Sequence, residues 1–198
     1  MNTLPETILQ QARSLPEGGV LSPKEFLHMG SRSAVDQAFS RLAQAGKLLR
    51  VARGTYSAPV SSRFGSRAPA PEKVVQALAE QSGVTVVTHG ASAANVLGLT
   101  QQVPIREVYL TSGRTRKLKI GHSEVLVKHA PRWMLVLSAR PAGAAVRALA
   151  WLGPTHAGPS LASLHRTLPR VEWEALAAAR AALPGWMARA IGEEATRG

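Results

Sequence analysis

The sequence predicts a mixed α+β fold, and three observations carry that prediction. Apolar residues recur at helical spacing through position 45, and the period switches to two just after it. Between positions 84 and 129, short β-branched runs alternate with Gly turns, and an Ala-rich helical tail follows. The 198 residues suffice for one domain or two small ones. Hydrophobic residues make up 45% and the mean hydropathy is −0.02, enough for a core without a membrane-like surplus. Cysteine is absent, which excludes disulfides, thiolate metal sites and a cysteine nucleophile. No apolar run approaches the roughly 20 residues that span a bilayer. Met1-Asn2-Thr3-Leu4-Pro5-Glu6 has neither the basic nor the apolar region of a secretory leader. The expectation is a cytoplasmic chain with no membrane partner.

Charge is the informative part of the composition. Lys plus Arg number 24 against 12 acids, a formal net charge of +12 and a pI near 11.4. A pI above about 9 points to a polyanionic partner. The excess is local: residues 1–40 carry −1, residues 41–67 carry +6 with no acid, and residues 106–140 carry +6. Two basic blocks fit two nucleic-acid-facing surfaces, or one continuous surface, better than general solubility.

The elements follow in order. Thr3-Leu4-Pro5-Glu6, Ser22-Pro23-Lys24-Glu25 and Ser33-Ala34-Val35-Asp36 each read as a capping box opening a helix. The first helix covers Leu4–Ser14 with Ile8, Leu9, Ala12 and Leu15 on its apolar stripe, and Pro16-Glu17-Gly18-Gly19 ends it. Val20-Leu21 is a short extended pair. The second helix covers residues 23–28, with Phe26 and Leu27 inward, and Gly30 gives the turn its backbone freedom. The third covers residues 34–45, with Val35, Ala38, Phe39, Leu42 and Ala45 on one face and Gly46 as its C′ glycine. Residues 47–51 and 55–57 then form a hairpin around Ala52-Arg53-Gly54. Helix, short strand, two helices and a hairpin is the order of a winged helix-turn-helix over residues 1–58.

That fold reads DNA with the third helix in the major groove. Its solvent side carries Arg32, Ser33, Asp36, Gln37, Ser40 and Arg41. Arg32 and Gln37 suit base edges, since Arg pairs with guanine and Gln with adenine. Arg41, Lys47, Arg50 and Arg53 suit phosphates.

Residues 59–71 are rich in Pro and Ser and read as a linker. Residues 72–198 then form a small α+β domain. It opens with a helix at 72–81, a buried strand at 84–87 and a small-residue helix at 91–97 packed on the sheet. Strands follow at Glu107–Thr111, Arg116–Ile120 and 125–129, and the tail is helical from position 139. Arg114, Arg116, Lys117 and Lys119 offer a second basic surface.

Gly46-Lys47-Leu48-Leu49-Arg50-Val51-Ala52-Arg53-Gly54-Thr55-Tyr56 resembles the wing of AbiE-type (type IV) antitoxins. Ala94-Asn95-Val96-Leu97-Gly98-Leu99-Thr100-Gln101-Gln102-Val103-Pro104, with Tyr109-Leu110-Thr111-Ser112-Gly113, is similar to the second-domain signature of that group. The resemblance covers roughly residues 15 to 155, and the Ala-rich tail after Gly153 departs from it. It implies a repressor of its own operon that binds an inverted-repeat operator on double-stranded DNA. It also implies an antidote to a nucleotidyltransferase-like toxin, acting on the toxin or on its nucleic-acid substrate. Arg32, Gln37, Arg41, Arg50 and Arg53 fall at the family's winged-helix positions.

Enzymatic readings are weaker. Gly90-Ala91-Ser92-Ala93-Ala94 approximates a nucleophile elbow, but Ala stands where the second glycine belongs and no Asp follows. The six histidines lack the i,i+4 spacing of a metal-binding helix, and Glu107 and Glu124 are the only acids between 81 and 171, too few for a metal nuclease. No dinucleotide or phosphate-loop fingerprint occurs. The expectation is a non-enzyme with no catalytic residues, no cofactor and no metal; a nucleic-acid-acting enzyme and a plain winged-helix regulator are the rivals. Since one winged helix contacts only a short half-site, two copies are expected on the operator. Trp151, Trp173 and Trp186 either anchor that pairing or cap the chain's own core.

Overall fold

The computed structural model describes residues 3–63 and 65–197; the reading of Met1 and Asn2 lies outside them. The fold is α+β: N-terminal helices with small sheets, then a helical tail. Two compact units divide the chain. One is Met1–Gly83 with Arg116–Leu126, the other Val84–Thr115 with Val127–Gly198. This division differs from a boundary at 59–71. The helix after the proposed linker belongs to the first unit, and so does the strand bearing Arg116, Lys117 and Lys119.

In the first unit, α1 (Leu4–Ser14) begins where the Thr3 N–H donates to Glu6 Oε2 at 2.8 Å, closing one half of the predicted box. β1 (Val20–Leu21) follows. Pro23–Phe26 is a single 3-10 turn and not the α-helix expected over 23–28. Its box does form, with the Ser22 N–H donating to Glu25 Oε1 at 2.7 Å, but four residues leave no second turn to bury Leu27, which stays 42% exposed.

α2 spans Arg32–Gln44 and starts two residues earlier than the sequence implied. Its cap is Ser31, whose Oγ accepts from the Ala34 N–H at 3.3 Å, because Asp36 turns to Arg32 and leaves Ser33 without a reciprocal partner. Gly30 is not in the left-handed region, and a Cβ there would meet nothing nearer than 3.8 Å, so the preceding turn does not require glycine. Gly46 does require it: φ is +67°, and the Gly46 and Lys47 N–H groups donate to Ala43 and Leu42 carbonyls at 3.1 and 2.9 Å, a Schellman ending.

β2 (Leu49–Ala52) and β3 (Thr55–Ser57) form the hairpin, and β1 pairs antiparallel with β3 to give the order β1-β3-β2. This is the winged helix-turn-helix arrangement. Its core is Ile8, Leu21, Phe26, Val35, Phe39, Leu42, Leu48 and Tyr56 with smaller neighbours. Phe39 sits between Phe26, edge-on at 5.5 Å, and Tyr56 at 4.8 Å.

The expected linker is folded. β4 (Val60–Ser62) pairs antiparallel with β5 (Gly65–Arg67), and α3 (Pro71–Ser82) follows with Val74, Val75, Leu78 and Ala79 buried. Glu17 ties this segment back to the start of β1. It accepts from Lys73 at 2.7 Å, Arg67 at 2.9 Å and the Ala70 N–H at 3.1 Å. Composition alone missed this, because a single acid 53 residues away in sequence from Ala70 carries the constraint.

In the second unit, β6 is Val86–Thr88, antiparallel to β7 (Glu107–Thr111). β6 is shorter than the predicted strand and buries only Val87, because it lies at the edge of its sheet. α4 (Gly90–Val96) packs on α5 (Pro141–Leu152), and not on the sheet as predicted: Ala93 and Ala94 meet Ala148, and small residues let the two backbones close in. A Cβ at Gly90 would stand 2.4 Å from the Arg147 carbonyl oxygen, so only glycine fits there. β8 (Arg116–Ile120) buries Leu118 and Ile120 and exposes Lys117 and Lys119, the predicted alternation. β9 (Ser123–His129) runs from the first unit into the second.

The tail comprises α5, α6 (Ala157–Thr167), α7 (Arg170–Ala178) and α8 (Gly185–Ala195) around Val146, Leu149, Leu161, Leu164, Leu176, Met187 and Ile191. Glu172 of α7 caps α5 from outside: its carboxylate accepts the Ala142 N–H at 3.0 Å and Arg140 Nη2 at 2.9 Å, which holds it below the usual carboxylate range. Trp173 is buried and stacks on His165 at 4.2 Å, and Trp186 packs against the same core. Those two tryptophans therefore serve the chain's own core, which leaves Trp151, 39% exposed, as the remaining candidate anchor.

Candidate nucleic-acid interface

α2 presents its buried stripe to the first unit's core and leaves Arg32, Ser33, Gln37, Ser40 and Arg41 exposed on the opposite side. The helical period places them there: Val35, Ala38, Phe39 and Leu42 take the inward positions. Lys47 follows the Gly46 turn, Arg50 lies on β2, and Arg53 occupies the β2–β3 turn before Gly54 at φ +67°. All eight predicted contact residues are exposed on the first unit.

Among the described residues, Arg41, Lys47, Arg50 and Arg53 form no ion pair. Three acids of the same unit are engaged elsewhere: Glu6 and Glu25 at their own helix starts, Glu17 on Lys73 and Arg67. Arg32 differs, because its Nε donates to Asp36 Oδ2 at 2.8 Å, one turn along α2. Both side chains are about half exposed, so the pair is weak and a stronger acceptor displaces it readily. The first turn of α2 holds no acid, so the positive end of its dipole adds to the cationic field.

The second basic block divides. Arg114 belongs to the second unit. β8, with Arg116, Lys117 and Lys119, lies alongside β2 in the first. Arg50, Lys117 and Lys119 line one shallow groove of about 250 Å³ between those strands, with Glu124 the acid at its edge. Sequence reading assigned β8 to the other domain, because roughly sixty residues separate it from β2 and no local pattern records the approach. Arg116 is half-buried; Lys117 and Lys119 are exposed.

The elbow-like motif does not form an elbow. Ser92 is the third residue of α4, one turn past the strand–helix corner, where His89 caps the helix by accepting the Ala91 N–H on Nδ1 at 3.2 Å. Among the described residues no group of three or more metal-ligating side chains occurs, and no helix is long and apolar enough to cross a membrane.

No curated protein matches the chain, and no solved structure does. One family model, Family of unknown function (DUF6088), matches residues 7–160, which run from within α1 through α5 to the start of α6, and the chain belongs to that family.

Proposed function

We propose that the chain is a DNA-binding transcriptional repressor that reads its operator with α2 and grips the phosphates with the β2–β3 wing. The observation that carries this reading is a set of exposed cations that form no ion pair among the described residues, Arg41, Lys47, Arg50 and Arg53, joined by Lys117 and Lys119 on β8, which share a groove with Arg50. Unpaired cations release counterions from duplex DNA without first breaking an internal pair. Arg32 and Gln37, near the start of α2, are the base readers, and Ser33 and Ser40 supply smaller polar contacts. Arg114 extends the cationic surface of the second unit.

On the resemblance of its wing and of residues 94–113, the repressor also acts as antitoxin to a nucleotidyltransferase-like toxin encoded beside it, and the second unit contributes without catalysis. It works in the cytoplasm as a pair of chains on an inverted repeat, without cofactor or metal. A plain winged-helix regulator rests on the same DNA surface, and the adjacent reading frame separates the two readings.

The deciding experiment is a gel-shift titration of the full chain against its own promoter region and against a scrambled duplex. Preferential shift of the promoter, weakened by Arg50→Ala, is the expected result. Equal affinity of wild type and Arg50→Ala for both duplexes overturns the reading. Rescue of growth when the chain is co-expressed with the adjacent nucleotidyltransferase-like protein supports the antitoxin role, and no rescue leaves the plain regulator.

A further inference from the structure

The second unit contains a cavity of about 370 Å³ whose lining is cationic on one side and apolar on the other. His89, Lys128, His129 and Arg147 form the polar side; Met134 and the half-exposed Trp151 are the largest apolar groups. No carboxylate lines it. We infer that this cavity binds a phosphomonoester with a flat apolar body, of the size and chemistry of a nucleoside monophosphate.

Arg147 is the central observation. It is 2% exposed, yet its guanidinium makes one hydrogen bond among the described residues, from Nη1 to the Ser138 carbonyl at 2.9 Å, and Nε has no partner at all. A buried donor left unpaired costs about 1–3 kcal/mol, more when charged, so such a group marks a place where a ligand completes the structure. Burial without a counter-charge also lowers the guanidinium to about 10. The acceptor it does have comes from an unusual turn: Leu137 and Ser138 both lie at positive φ, 61° and 45°.

The neighbouring groups supply compatible donors. His89 accepts the Ala91 N–H on Nδ1, so its neutral ring carries the proton on Nε2 and donates from there. Burial and the Lys128 charge both lower His89, which keeps it in that neutral donor form at pH 7. His129 Nδ1 donates to the Gly113 carbonyl at 2.8 Å, which orients the ring but leaves Nε2 an acceptor in the neutral form, so the donors to an anion are His89, Lys128 and Arg147. Lys128, an exposed side chain, adds a second positive charge. Two cations and no acid match a dianion better than a carboxylate, and the indole of Trp151 suits a flat ring. Glycine at 90 is what allows His89 this close to α5, since any Cβ would strike Arg147 and Trp151 backbone and side-chain atoms at 2.4 and 2.7 Å.

This inference is independent of DNA binding by the first unit, and its test separates the two. Calorimetric titration of the full chain uses adenosine monophosphate, inorganic phosphate and adenosine as probes. The expected result is saturable binding of the monophosphate, at least about tenfold tighter than phosphate or adenosine alone, because only the complete probe uses both sides of the cavity. Lys128→Ala and Arg147→Met each weaken it by about tenfold or more, while Arg50→Ala leaves it unchanged. If Arg147→Met fails to fold, Lys128→Ala and His89→Gln decide. Absence of binding up to about 10 mM overturns the inference, as does adenosine binding as tightly as its monophosphate. Affinity that responds to Arg50→Ala and not to Lys128→Ala overturns it too, since the probe then sits on the first unit.

Discussion

The two units carry the same net charge, +6 each, from thirteen Lys and Arg against seven acids in the first and eleven against five in the second. They place it differently. In the first, Glu6 and Glu25 cap helices and Glu17 anchors its own cluster, while Arg50 and Arg53 of the wing form no ion pair among the described residues. In the second, acids join helices to one another, as Glu172 does with Arg140 and Glu194 with His165. Its most deeply buried cation is Arg147 in the cavity wall. Equal net charge therefore gives an open cationic face in one unit and a half-open cationic pocket in the other. What locates a polyanion surface is unpaired, exposed charge, and net charge per unit says little about it.

The largest effect that tests this contrast is on the scaffold. Phe39→Ala removes a fully buried ring held between Phe26 and Tyr56 and is expected to cost about 3–5 kcal/mol in chemical denaturation, with promoter binding lost. Leu164→Ala, equally buried in the second unit, is expected to cost about 2–5 kcal/mol while promoter binding of the folded fraction survives. Loss of DNA binding in both would erase the distinction between the units. Next come the proposed base readers. Arg32→Ala and Gln37→Ala are each expected to relax specificity by roughly 1–3 kcal/mol at one base pair, seen by binding to single-position operator variants. A smaller effect separates exposed cations of equal charge. Arg50→Ala, Lys117→Ala and Lys119→Ala should each reduce the slope of log affinity against log salt by about 0.9, whereas Arg166→Ala and Arg189→Ala on the exposed side of the tail helices leave it unchanged.

What the sequence made legible is local. Capping boxes at Thr3 and Ser22, the helical face Val35–Ala38–Phe39–Leu42, the Gly46 ending and the β8 alternation all rest on spacings of a few residues, and each appears where the spacing puts it. The start of α2 was misread because two serines compete for one cap, and the Arg32–Asp36 pair decides between them. The folded segment at 59–71 and the approach of β8 to β2 were not legible. Each depends on a contact between residues about fifty or more apart, Glu17 with Arg67 and β2 with β8, and no periodicity encodes that. The cavity around Arg147 was hidden for the same reason: its residues come from the start of α4, β7, β9, the segment after β9 and α5, and α5 reads from composition as an Ala-rich apolar helix.

The Glu17 cluster gives a pH-dependent test of how the first unit is held. Lys73 first, then Arg67 and the Ala70 N–H, lower its carboxyl to about 2 from an ordinary 4.5. The folded value lies below the unfolded one, so the stabilisation is complete above pH 4.5 and is lost as pH falls from there toward 2. Glu17→Gln should melt at a lower temperature than wild type at neutral pH, and the gap should close across that window. A gap that persists at pH 2 would mean the cluster acts through packing and not charge.

The smallest predicted effect concerns Asp36, the one acid on the exposed side of α2. It holds Arg32 at 2.8 Å, so if Arg32 reads a base as proposed, that pair must open. An exposed i,i+4 pair is worth about 0.3–0.5 kcal/mol, so Asp36→Asn should tighten promoter binding by roughly twofold. The same change removes a negative charge facing the duplex, which adds in the same direction and more strongly at low salt. The two contributions separate in a double-mutant cycle with Arg32→Ala. If the pair restrains Arg32, the gain from Asp36→Asn shrinks when Arg32 is absent, and what is left falls as salt rises. A gain of equal size in both backgrounds would show that Asp36 acts on the DNA directly and that Arg32 is free to read without release.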